Sequence, residues 1–172
     1  MAQRDFWITN TGDLAALQRR LRQAGDGKLK DNLNRRIRHA AAPIHRDLQR
    51  KVRTLRVWGP GSRTGRSSSR PGRQGPPLRA TIAAAIRLSV TTGSGAKLWV
   101  DKSRLPPDWQ TMPKNLDKGS WRHPTFGNKS RGGWVYQYSE ANWWWNTIRP
   151  HMPRLKRDVE RILNDVERHL GG

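Results

Sequence analysis

The chain has 172 residues of which only 34% are hydrophobic, and 34 Lys and Arg against 13 Asp and Glu give it a formal charge of +21. A pI near 11.8 argues against a basic partner and favours polyanions or acidic protein surfaces, while so small an apolar fraction implies one modest core with extended arms. The absence of cysteine removes disulfides and thiolate metal sites and agrees with synthesis in a cytosol. No apolar run approaches the roughly 18 residues of a membrane helix, and "MAQRDFWITN" lacks the apolar centre of a signal peptide, so no membrane contact and no export by that route are expected.

The N-terminal segment, 1–27, carries Leu14, Leu17 and Leu21 at helical spacing behind the potential caps Thr11 and Asp13, until Gly25 and Gly27 interrupt. In the helical region, 28–58, Leu29, Leu33, Ile37, Ala40, Ala41, Ile44, Leu48, Val52 and Leu55 step by three or four and define one apolar face. Pro43 lies inside that stripe and predicts a kink or a split, giving two helical segments in line. The next segment, 59–77, reads "GPGSRTGRSSSRPGRQGPP" and has no aliphatic or aromatic side chain. It is predicted to be a basic flexible loop that orders only when a partner holds it, and Arg63, Arg66, Arg70 and Arg73 are its candidate contacts to DNA phosphates or an acidic partner.

Region 78–140 is read as a short helix followed by a sheet. "PLRATIAAAI" suits the helix, the alternation of Ile86, Leu88 and Val90 before "GSG" predicts a hairpin returning through Leu98 to Val100, and "GWVYQYS" offers a third strand with Trp134, Tyr136 and Tyr138 on one face. Trp134 is assigned to core packing. The last region, 141–172, joins the cluster "NWWWN" to a helix with Leu155, Val159, Ile162, Leu163, Val166 and Leu170 as its stripe. Burying all six contributes on the order of 9–18 kcal/mol before chain entropy is subtracted, which makes this helix an anchor. The fold class expected is α+β: a single domain over 1–172 with N-terminal helices, a small antiparallel sheet, an amphipathic C-terminal helix and one long basic loop.

Little in the chain suits catalysis. The histidines at 39, 45, 123, 151 and 169 form no pair four apart and no HExxH pattern, there is no Walker lysine, and the acids are scattered beside arginines. No enzymatic activity, metal or cofactor is expected. Nucleic-acid binding has more support, because Arg35 to Arg79 holds thirteen basic side chains and one acid; such binding is sequence-independent, since flexible arginines carry no base-reading geometry. The nine tryptophans are the second anomaly. Three consecutive indoles between polar residues cannot all face one small core, so at least one stays at a surface, and tryptophan is enriched at interface hot spots.

The order "SRTGRS", "PLRATIAAAI", "WRHPTFGN" and "GWVYQ", ahead of an aromatic cluster and an amphipathic C-terminal helix, resembles the small tail-component or neck proteins of long-tailed bacteriophages, the actinobacterial phage type above all. The resemblance spans about residues 30 to 170. It implies a structural virion protein made in the host cytoplasm and placed at the head-to-tail junction, in a homo-oligomeric ring of sixfold or twelvefold symmetry around the DNA channel. The implied partners are a head-closure protein and a tail terminator or tail tube protein, with sequence-independent contact to packaged DNA. Within that reading "WRHPTFG" is a rigid interface loop: Trp121 and Phe126 are buried anchors, Pro124 restrains His123, Gly127 permits the turn and Arg122 pairs with a neighbour's carboxylate. Trp143, Trp144 and Trp145 are assigned to the same interface, with core packing left open for one of the three. A free-standing nonspecific nucleic-acid-binding protein is the alternative.

Overall fold

The stripe beginning at Leu29 folds as one helix, α1 (Gly27–Thr54), in a computed structural model that describes residues 6–8, 16, 19, 23, 27–59, 77–91, 95–124 and 133–171. Leu33, Ile37, Ala41, Ile44, Leu48 and Val52 form its buried side. The split expected at Pro43 does not occur. A proline inside a helix removes one hydrogen bond and costs about 3 kcal/mol, whereas a fully buried Val, Leu or Ile returns about 1.5–3 kcal/mol each. Such residues lie on both sides of Pro43 along α1, so packing outweighs the local defect and keeps the helix whole.

The other layers lean on α1. The short helix α2 (Leu78–Ala85) buries Ile82, Ala83 and Ala85 and ends where Ile86 turns extended. From there the expected hairpin forms: β3 (Ile86–Thr91) pairs antiparallel with β4 (Gly95–Val100), in register from Ile86 opposite Val100 to Thr91 opposite Gly95. Ala96 and Leu98 are fully buried, and His45 Nε2 on α1 lies 2.9 Å from the Ile86 carbonyl oxygen. On the free side of β4 sits a strand absent from the sequence reading, β1 (Phe6–Ile8), which completes a sheet of order β1-β4-β3. Three residues are too few for periodicity to announce them.

A second sheet holds the strand expected at Trp134. In order β2-β6-β5 it consists of β2 (Val57–Trp58), β5 (Ser120–Pro124) and β6 (Trp134–Ser139), all antiparallel. The single sheet expected from sequence is therefore two sheets of three strands, and the hairpin and β6 never pair. Helix α3 (Met112–Lys118) packs on β5 and β6. It stops at Gly119, whose φ of 88° is left-handed and whose N–H reaches the carbonyls of Asn115 and Leu116.

Helix α4 (Trp143–Ile148), a 3-10 turn over Arg149–His151 and α5 (Met152–Gly171) end the chain. Leu155, Val159, Ile162, Leu163 and Val166 are buried on α5, which packs against α1 as its periodicity predicts. Polar ties also hold α1 to its neighbours: Arg36 to Asp165 of α5 at 2.5 Å, His151 of the 3-10 turn to Asp47 at 3.0 Å, and Lys51 to Glu140, just after β6, at 2.6 Å. The fold is α+β, and no helix among the described residues is long and apolar enough to cross a membrane. Leu14, Leu17, Leu21 and the stretch 60–76 with its four arginines lie outside the described residues.

Candidate interaction surface

Alternation along β6 separates its side chains into two sets. Trp134, Tyr136 and Tyr138 point outward and are 44%, 47% and 36% exposed, while Ser139 is buried. The core role expected for Trp134 is thus corrected. With α3 covering only the other face of this sheet, the strand's strict alternation puts its first ring in solvent. On the neighbouring strand the register sets Arg122 opposite Tyr136 and Pro124 opposite Trp134, and on the far side Trp58 pairs with Tyr138.

These neighbours form a continuous stripe. Trp58 stacks on Tyr138 with centroids 6.3 Å apart, Tyr138 stacks on Tyr136 at 6.2 Å, and the Arg122 guanidinium lies 5.3 Å from the Tyr136 ring and 5.7 Å from the Trp134 ring. From Trp134 to Tyr138 the stripe runs about 14 Å along the strand. A guanidinium between two aromatic faces contributes about 0.5–1 kcal/mol at an exposed site and holds the side chain across the strand. Four large rings and one cation, left in solvent on one side of a small sheet, form the largest group of exposed aromatic residues in the described structure.

The opposite face of the same strands belongs to the core. Trp121 is buried, and the Ser139 hydroxyl donates to the Leu116 carbonyl at 2.7 Å. The expectation of a rigid interface loop at "WRHP" is therefore corrected: Ser120–Pro124 is a strand, and its pleat sends Trp121 inward while Arg122 goes outward. His123 is half-buried on the same side as Trp121. Trp121 does anchor something, but it anchors its own domain. Phe126 and Gly127, like Arg63, Arg66, Arg70 and Arg73, lie outside the described residues.

The triple tryptophan divides in the same way. Trp143 and Trp144 are fully or nearly fully buried and meet edge to face with centroids 5.5 Å apart, whereas Trp145 is 48% exposed. The interface role expected for Trp143 and Trp144 is corrected, because α4 packs against α1 and α3 and successive helical residues lie about 100° apart, so two rings face in and the third faces out. Their indole N–H groups find no hydrogen-bond partner among the described residues. The surface position expected for at least one indole falls to Trp145.

Titratable chemistry is sparse around these elements. Asp117 accepts a hydrogen bond from the Trp144 backbone N–H at 3.0 Å, which caps α4 from a neighbouring helix; burial raises its carboxyl above the ordinary value, opposed by that bond. Among the described residues no three His, Asp or Glu side chains come together as a metal site. The site missed by sequence reasoning is the stripe as a whole. Its three β6 rings were visible in the alternation, but Trp58 and Arg122 join only through strand pairing. No family model, no curated protein and no solved structure matches this chain.

Proposed function

We propose that this chain is a structural assembly protein of the head-to-tail junction of a long-tailed phage, a subunit of a neck ring around the DNA channel that docks on its neighbours through the aromatic stripe. The observation that carries the docking role is the exposed run Trp58, Tyr138, Tyr136, Arg122 and Trp134. Trp, Tyr and Arg are the residue types that dominate binding energy at protein interfaces, and they do so when a partner removes them from water. Three of the rings are already stacked on one another and Arg122 lies against the fourth, so less side-chain freedom is lost on docking. The junction itself is supported by the succession of sequence motifs and by the high positive charge, which suits a position beside DNA.

The test is complementation of head-to-tail joining with Trp134→Ala and Tyr136→Ala. Both side chains are exposed, so the purified variants melt within a few degrees of wild type, while joined particles fall at least tenfold. Normal joining by the double variant overturns the docking role.

One observation favours a second reading, that of a nonspecific nucleic-acid-binding protein. Rings spread along a sheet face with an arginine among them are the arrangement on which bases of a single strand stack. Titration with a single-stranded oligonucleotide separates the two: under this second reading Trp134→Ala weakens binding tenfold or more, and under the first it leaves weak, salt-sensitive binding unchanged.

A further inference from the structure

A cleft of about 430 Å³ lies between α1 and α5, away from the aromatic stripe. Arg35, Arg36 and His39 form one wall, and Arg154, Asp158 and Arg161 form the other. Its floor is apolar, made by Ala40 and the buried Ile162. The internal acids are taken: Asp165 is held by Arg36 and Arg168, and Asp158 lies 3.6 Å from Arg154. Arg161 and His39, in contrast, have no partner among the described residues. Four guanidinium groups thus line a concave site whose one lining carboxylate is already shared, and of the four Arg36 ties α1 to α5.

We infer that this cleft is a docking site for an acidic peptide segment of a neighbouring protein, with carboxylates held by Arg35, Arg154 and Arg161 and an apolar side chain seated on Ala40 and Ile162. Three features select that occupant. A duplex lies across two convex helices and does not enter the groove between them. His39 is the one ring in the lining, so a nucleotide's base finds no Trp, Tyr or Phe face to stack on, and the apolar floor has no use for inorganic polyphosphate. A second copy of this chain is a poor source of such a segment, since it carries 13 acidic residues against 34 Lys and Arg. Arg154 and Arg161 are seven residues apart, hence about 10.5 Å along the helix, which matches acidic residues three apart in a peptide in the polyproline II conformation, where they share one side at about 9 Å.

Binding is measured by fluorescence anisotropy on the full chain at 150 mM salt. The probe is a labelled 12-residue peptide of alanine and leucine with glutamates every third position. Arg35→Glu and Arg161→Glu each weaken it about tenfold, the scale of one lost charge-assisted hydrogen bond. Arg157→Glu, the same charge change at an exposed position of α5 that does not line the cleft, leaves affinity within twofold. Binding of duplex DNA and of tripolyphosphate changes less than threefold in all variants. Equal losses in Arg157→Glu and Arg161→Glu overturn the site as mere charge attraction, and selective loss of tripolyphosphate or DNA overturns it in favour of a phosphate site. Should a reversed charge unfold the helix pair, Arg35→Gln and Arg161→Gln carry the same comparison. Failure here leaves the stripe reading intact, since the two surfaces share no residue.

Discussion

Replacing Gly119 by alanine tests how the second sheet is held to α3. Two costs add. Gly119 has φ of 88°, in the left-handed region where a Cβ costs about 1–2 kcal/mol. That Cβ also meets Ala141, at 2.7 Å from its Cβ, 3.1 Å from its Cα and 3.3 Å from its N. Two of these atoms are backbone and cannot swing away; relief requires moving the turn that follows β6, at an overpacking cost of about 1–3 kcal/mol. The same turn is pinned by Ser139 N donating to the Gly119 carbonyl at 2.9 Å and Asn142 N donating to the Asp117 carbonyl at 2.7 Å, so it yields little. The sum is about 2–5 kcal/mol, which for a chain of this size lowers Tm by about 10 °C. Thermal melts followed by circular dichroism measure it, with Gly59→Ala as the control. A Cβ at Gly59 rests 3.7 Å from the Tyr136 carbonyl oxygen, an ordinary contact, so this variant stays within about 0.5 kcal/mol. A Gly119→Ala protein melting within 2 °C of wild type refutes the argument.

The tryptophan cluster predicts unequal neighbours: Trp143→Ala costs about 3–5 kcal/mol as a core truncation, Trp145→Ala stays within about 0.5 kcal/mol, and denaturant unfolding that ranks them equally contradicts the division of α4 into inner and outer rings. Asp117 predicts a pH dependence. Because burial raises its folded carboxyl above the ordinary value near 3.8, its contribution is fully present below that value and is lost as pH rises through the higher folded one. Asp117→Asn keeps an oxygen for the Trp144 N–H and removes the charge, so relative to wild type it gains stability between pH 3.5 and pH 7; a variant that instead loses ground over that interval places the carboxylate among the stabilising charges.

Local repetition determined much of this protein from the sequence alone. The stripes of α1 and α5, the hairpin of β3 and β4 and the alternation of β6 all write their signal into neighbours a few residues apart, where the helical or pleated period puts them on one side. Pro43 shows where a local rule yields: its missing hydrogen bond is a single-residue cost, and the burial that outweighs it belongs to Ile37, Ile44 and their partners in other elements. Tertiary structure alone decided which aromatic residues face water. "WRHP" is a strand only because β6 is beside it, Trp143 and Trp144 are core only because α1 and α3 receive them, and Trp58 reaches Tyr138 through pairing across nearly half of the chain. The arginine cleft has the same origin, for residues 35 to 39 and 154 to 161 become two walls only when α5 folds back on α1. Periodicity carries information about a residue's own element, whereas exposure is set by what packs on that element, and nothing in its neighbours along the chain specifies that.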